Sequence, residues 1–361
     1  MATASSRYFR IVPVTVTVLA VATALWLARR SSETPRGGAP LRQVGITGLT
    51  MGPIEFQIQG LHASLAADQV DRALQNARNC LSRVNEVMSA YRPSSDLSRL
   101  NRAPAGKSVP LDGDLLSLLD RSRHWTPLTD GAFDPTARPL FELWKQAGKN
   151  QRLPTDDGIA AALKPTGWKH LTLDLEARTA VKAVEGFQID LGAVAKGYAV
   201  DRALEQLRRA GFAGGLVEVG GEVRVFGAAP AGETWTIGIR DPFRPDELCG
   251  RLALRDAAAA TSGNYFRFSE IDGHRYSHVL DPRTGWPADA AASVTVIAAD
   301  CTTADVWATV LSVLGEKALA KIDAMDRVEA MMILGTATEY RVVASKGFGA
   351  YLVGGKLISP R

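Results

Sequence analysis

Strand-forming runs crowd into the second half of this chain while helical patterns dominate the first, and that order limits the fold more than any other feature. The runs lie at 216–226, 235–240, 293–298, 329–334 and 340–344, rich in Val, Ile, Thr and aromatic residues and separated by turn formers. Helical spacing of Val70, Leu74, Ala77, Leu81, Val84 and Val87 predicts an amphipathic helix over 65–89. Shorter helices are expected at 115–125 and 193–210, the latter stopped by Gly211 in a C-cap position. Helices followed by hairpin-linked strands predict an α+β fold rather than a regular βαβ alternation. The expectation is a single globular domain with an antiparallel β-sheet core and flanking helices. Gly220-Gly221 inside the first run signals a bulge or a close backbone approach by a ligand.

A leader is expected before the domain. Residues 11–28 form an uncharged, largely apolar run flanked by arginines, close to the length that spans a bilayer and also acceptable as a signal-peptide core. The expected organisation is a signal peptide or membrane anchor at 1–30, a linker at 31–44, and the globular domain at 45–361. The favoured location is the periplasmic side of a bacterial inner membrane, or the periplasm if the signal is cleaved. A cytoplasmic domain on a membrane anchor is the rival. The formal charge of +4 resides entirely in the first 36 residues, which hold five arginines and one glutamate. The domain is formally neutral, and nothing in its charge points to nucleic acid. Cys80, Cys249 and Cys301 lack metal-like spacing and read as buried free thiols, with one disulfide the alternative in an oxidising compartment.

Several segments carry residue types suited to chemistry. Ile189-Asp190-Leu191-Gly192-Ala193-Val194-Ala195-Lys196 reads as a strand end, a turn and a helix start, where free N–H groups and Lys196 suit a phosphate. An ordinary strand–turn–helix joint with a solvated lysine is the alternative. In the helix near 302–314, Asp305 and Thr309 stand one turn apart, so a carboxylate and a hydroxyl can meet one hard cation. The same polar stripe also reads as the wet face of a helix. The turn Ser277-His278-Val279-Leu280-Asp281-Pro282-Arg283-Thr284-Gly285 places a proton carrier beside a rigid reversal. Arg283 is expected to brace that turn by a salt bridge. Two further turns, Gly131-Ala132-Phe133-Asp134-Pro135-Thr136 and Thr261-Ser262-Gly263-Asn264, are weak signals singly.

Taken in order, these segments resemble one family. Met51-Gly52, Ser89-Ala90-Tyr91, Ser95-Asp96-Leu97-Ser98-Arg99-Leu100-Asn101, the Phe133-Asp134-Pro135-Thr136 turn, the run from Asp190 to Asp201, Gly220-Gly221, Thr261-Ser262-Gly263, the His278 segment and Asp305 with Thr309 together look like the FAD:protein FMN transferases of ApbE type. The likeness covers roughly residues 45–345. It implies an enzyme that splits FAD with Mg²⁺ and attaches FMN by a phosphoester to a threonine of an exported or membrane-bound redox protein, releasing AMP. Met51, Tyr91, Ala132, Phe133, Asp134, Asp190, Lys196 and Val279 would surround FAD. Asp305, Thr309 and the carbonyl of Ala193 would hold the metal, with His278 as the transfer base and Asp190 second in line.

Aromatic and apolar Tyr91, Phe133 and Met51 suit a flat flavin slot. Pro53 and Asn264 depart from the family pattern, which commonly has threonine and aspartate there. Two rival functions share the same residues: an FAD pyrophosphatase yielding FMN and AMP, and a non-catalytic FAD-binding assembly protein.

Overall fold

The computed structural model describes residues 40–263, 268–355 and 357. The expected leader, the linker as far as residue 39, and Asn264 lie outside the described residues. Among those described, no helix is long and apolar enough to cross a membrane.

The described chain opens with a hairpin, β1 (Arg42–Thr50) and β2 (Ile54–His62), joined through Met51-Gly52-Pro53. Residues 42–44 of the expected linker are therefore strand. Next come α1 (Ala67–Met88), α2 (Asp96–Arg102), β3 (Ser108–Pro110), α3 (Gly113–Leu128), α4 (Arg138–Asn150) and α5 (Asp156–Leu163). β4 (Leu171–Asp174) and β5 (Thr179–Lys182) form a small sheet with β3. Then follow α6 (Ala195–Arg209), the hairpin β6 (Gly214–Val219) and β7 (Glu222–Gly227), and a second hairpin, β8 (Trp235–Arg240) and β9 (Leu248–Leu254). β10 (Ala257–Gly263) precedes the small hairpin β11 (Phe268–Ile271) and β12 (His274–Ser277). β13 (Ser293–Ala298), α7 (Cys301–Leu314), α8 (Leu319–Ile322), β14 (Glu329–Gly335) and β15 (Tyr340–Ala344) complete the order.

Eight strands build the main sheet in the order β1-β2-β6-β7-β10-β13-β14-β15, every pair antiparallel. This is the expected α+β architecture. The 216–226 run is two strands instead of one. Gly220 and Gly221, at φ 60° and 105°, form the two-residue turn between β6 and β7, with Val219 opposite Glu222. Two consecutive left-handed residues match the right-handed twist of a hairpin, which is why glycine holds both places.

Both faces of the sheet are covered, so β6 and β13 are buried at every residue. On one face Val217, Val219, Val294 and Val296 pack against α1, α6 and α7 in the largest core. On the other, Leu216, Val223, Val225 and Ile297 meet Trp235, Ile239, Leu252 and Leu254 of the β8–β9 hairpin. A third, smaller core joins α4 and α5 to β11–β12 through Leu140, Trp144, Ile159, Ile271 and Leu280. Cys249 and Cys301 are buried and Cys80 half-buried, all three free.

Candidate active site

The site grows from one end of the main sheet. There the β6–β7 turn lies beside the β1–β2 turn: the Gly220 amide donates to the Glu55 carbonyl, and a Cβ on Gly220 would strike Ile54 at 2.7 Å. Met51 sits in that second turn with φ 49°, half-buried against the main core. Pro53 belongs to the same turn, where the missing N–H breaks no strand pairing. β10 and β13 are neighbours whose Gly263 and Ser293 pair at this same end. The chain between them leaves the sheet and returns, and His278 rides on that excursion.

Asp190 is held by four separate devices. Asn101 of α2, itself buried, clamps the preceding residue: its Nδ2 donates to the Ile189 carbonyl at 2.9 Å and its Oδ1 accepts from the Ile189 amide at 2.8 Å. The Asp190 amide donates to the Pro135 carbonyl at 2.8 Å. Its carboxylate accepts from the Gly192 amide at 2.8 Å and from Arg138 at 2.6 Å. Tyr91 is presented on a turn fastened by serines: the Ser89 hydroxyl accepts from the Tyr91 and Arg92 amides, while Ser95 and Ser98 donate to the Ser89 carbonyl. Tyr91 as a whole is 71% exposed.

The segment after Asp190 is a turn through 192–194, and α6 starts at Ala195, two residues later than its spacing predicts. Ala193 therefore lies in the turn. Two residues into α6, Gly197 lets α7 approach: a Cβ there would lie 2.3 Å from the Cys301 carbonyl oxygen and 2.9 Å from the Asp305 Cβ. Asp305 uses this closeness. It is 4% exposed, so the stripe it shares with Thr309 and buried Ser312 is not a wet face. One of its oxygens accepts from the Gly197 amide at 3.0 Å and the other stands 3.6 Å from Lys196 Nζ. Thus one amide at the α6 N-terminus faces a carboxylate of the chain.

Lys196 is not a solvated lysine. It pairs with Glu222 at the start of β7 as well as with Asp305. Glu222 is 2% exposed, and its Oε2 is buried without a hydrogen-bond partner. Burial pushes this carboxyl up to about 8. Held toward its protonated form, Glu222 leaves Lys196 and Asp305 as the charged pair. The buried Asp305 carboxylate, with the Thr309 hydroxyl one turn away, offers the hard oxygen donors that fit a divalent cation. Among the described residues no group of three or more His, Cys, Asp or Glu side chains is set to hold a metal. A cation here would rest on one carboxylate, a hydroxyl and backbone oxygen.

The remaining residues divide into turn and core. His278 is exposed, just after β12, and Val279 beneath it is buried in the main core. Arg283 braces the turn as expected, with bonds of 2.8 and 2.7 Å to Asp281. Asp281 is held below the usual carboxylate range: Arg283 and nearby amides outweigh the opposing effect of burial, the largest single influence. Trp144 donates to the Gly285 carbonyl at 2.7 Å and locks the turn to α4. Ala132 and Phe133 are each 2% exposed, and the Phe133 ring packs edge-on against Trp125. Its side chain is core, not an open wall of a flavin slot. One Asp134 oxygen is occupied by the Thr136 amide and hydroxyl at 2.9 and 2.7 Å, and burial raises its pKa.

Glu222 and Arg138 escape a reading of the sequence. Glutamate in a strand reads as solvent-facing, and Arg138 has no motif around it. The one signal for Glu222 was its place after Gly220-Gly221, where a two-residue turn aims the next side chain.

Comparison with known proteins places this geometry. Residues 53–332 match the model of the ApbE family. A FAD:protein FMN transferase of Vibrio cholerae is 33% identical over 339 residues, 91% of this chain and 98% of that protein. One from Chlamydia pneumoniae is 36% identical over 266 residues, 72% of this chain and 82% of its own. The structure of the flavin transferase ApbE from Vibrio cholerae superposes with a TM-score of 0.75 at 33% identity, over 87% of this chain and 100% of that one. An ApbE protein from Thermotoga maritima gives 0.76 at 32% identity, over 86% and 99%. The family match runs from Pro53 in the β1–β2 turn into β14, and the chain belongs to the ApbE family.

Proposed function

We propose that this chain is a FAD:protein FMN transferase that moves FMN from FAD to a threonine of an acceptor redox protein, with Mg²⁺ as cofactor and AMP as the second product. The observation that carries the metal-dependent reading is the buried Asp305 carboxylate one turn from the Thr309 hydroxyl, with an unpartnered buried Glu222 oxygen on the other side of Lys196. Asp305, Thr309 and the Ala193 carbonyl would hold Mg²⁺. α6 and α7 run antiparallel here, since Asp201 accepts from the Cys301 and Thr302 amides and Asp305 from Gly197. Ala193, in the turn that leads into α6, lies on the side of the Gly197–Asp305 contact toward which α7 runs to Thr309, which supports the donor set. When bound, the ion offsets the charge of the diphosphate.

The chain's own residues supply the rest. The acceptor threonine oxygen forms a bond to the phosphorus of the FMN half, the bond from that phosphorus to the bridging oxygen breaks, and AMP leaves with that oxygen. His278 takes the hydroxyl proton; Asp190, held by Arg138 and the Gly192 amide, is the second candidate. Lys196 neutralises phosphate charge from the α6 side. Tyr91 offers an exposed aromatic face and Met51 a flexible apolar one at the neighbouring turn. Ala132, Phe133, Asp134 and Val279 complete the surroundings, the buried Ala132, Phe133 and Val279 through backbone.

Incubation with FAD, Mg²⁺ and an acceptor bearing a threonine target, read by intact mass, tests this. The expected result is an acceptor heavier by one FMN, with one AMP released per transfer. Free FMN beside an unmodified acceptor assigns a pyrophosphatase instead, and bound FAD with no AMP assigns a binding protein. Export by the 1–30 leader, with the enzyme on the periplasmic side, is part of the proposal. Fractionation of a tagged full-length chain checks it, and a cytoplasmic tag overturns it.

A further inference from the structure

Arg138 is the first residue of α4 and is 8% exposed, an uncommon place for a guanidinium. Burial of this charge is tolerated only with partners. Nη1 donates to Asp190 Oδ2 at 2.6 Å and Nη2 to Glu142 Oε1 at 2.7 Å. The Arg138 Cζ lies over the Tyr91 ring, 5.1 Å from the centroid. Lys145, which stands 3.5 Å from Glu142, brings its Nζ to 5.5 Å from the same ring. Ala137, the residue before, bridges to Gln188, so the backbone carrying Arg138 is tied to the strand segment that leads to Asp190.

An exposed tyrosine on a turn has a ring free to rotate. This one is backed by two cations, and it remains 71% exposed. Cations held over a ring restrict its rotation, and the exposed part of the ring is left for a planar partner. The planar guanidinium does what a lysine cannot, since it forks to two carboxylates while stacking.

We propose that Arg138 is a positioning residue for FAD: it couples Asp190 to Tyr91 and holds the Tyr91 ring as a fixed platform on which a planar ring of the dinucleotide stacks. This rests on FAD being the substrate. Arg138 does not touch the reacting atoms; it acts through the two residues it holds.

The test is a double-mutant cycle on FAD binding by the full-length protein with EDTA present, so that turnover does not interfere. Arg138→Lys keeps a charge beside Asp190 but loses the fork and the stack. Its Kd for FAD is expected to rise about five- to tenfold. Tyr91→Leu, at an exposed position, is expected to weaken binding at least as much. In the Tyr91→Leu background, Arg138→Lys should cost almost nothing more, because the platform is already gone. A purely structural role for Arg138 would instead lower the melting temperature and leave Kd unchanged. Titration with FMN and AMP separately shows which half of FAD uses the platform: the sensitive half carries the stacked ring. An unchanged Kd in Arg138→Lys, or costs that add in full in the double variant, overturns the proposal. Absence of FAD binding by the unsubstituted protein would refute the functional reading instead.

Discussion

Single residues show how buried charge is distributed between stability and chemistry. Asp305 accepts an amide and faces a lysine, so removing its carboxylate changes the site more than the fold. Asp305→Ala is expected to abolish Mg²⁺-stimulated AMP release, and retained stimulation would exclude it as a ligand. His278→Ala, at an exposed turn position, should leave FAD affinity nearly unchanged and slow transfer by about 10²–10⁴-fold, read by single-turnover kinetics. Glu218 lies on the other face of β6 from the helices, and burial raises its pKa to about 7. The folded chain therefore binds a proton there that the unfolded chain releases near the ordinary value of 4.5. Stability from this group is full below that ordinary value and falls as pH rises through about 7. Glu218→Gln, which keeps an acceptor for the Gly221 amide, should flatten that part of the melting temperature's pH profile between about 4.5 and 7, by on the order of 3 kcal/mol at the alkaline end.

At the level of elements, the crossing of α6 and α7 governs the metal side of the site. Gly197→Ala would raise helix propensity by about 1 kcal/mol. The new Cβ would also lie 2.3 Å from a backbone oxygen of α7, and overpacking of that kind costs about 1–3 kcal/mol. The clash wins because backbone cannot swing aside as a side chain can. We expect a lower melting temperature and weaker Mg²⁺ activation together, checked by calorimetry and by Mg²⁺ titration of AMP release. The elements also show what periodicity can and cannot reveal. α1 matches its expected span within two residues because one apolar stripe faces the core. β8, β13 and β15 coincide with their runs, being rich in branched and aromatic residues. β1 and β2 were missed since Gly45, Gly48, Gly60, Gln57 and Gln59 dilute any alternation. Their glycines serve packing: Gly60 makes room for the Phe212 ring and Gly48 for that of Phe56.

For the molecule as a whole, the order of motifs revealed the family, whereas the pairing of distant segments was not legible. Nothing local says that Lys196 meets Glu222, or that Arg138 meets Asp190, because each contact joins elements far apart in the chain. The same property bears on how the protein folds. The β1–β2 hairpin is made first, yet β2 waits for β6, where Phe56 meets Val219. β10 and β13, in turn, pair only after the His278 excursion is complete. Such long-range pairings must close large loops before they gain contacts, so folding is slow and the early hairpin stands with an open edge. A ribosome-released fragment ending before residue 214 should be rapidly degraded or aggregate, whereas the full chain resists limited proteolysis. A protein built in this way reaches its native state only once nearly all of it has been synthesised, so the edge of the early hairpin has to wait unpaired until β6 arrives.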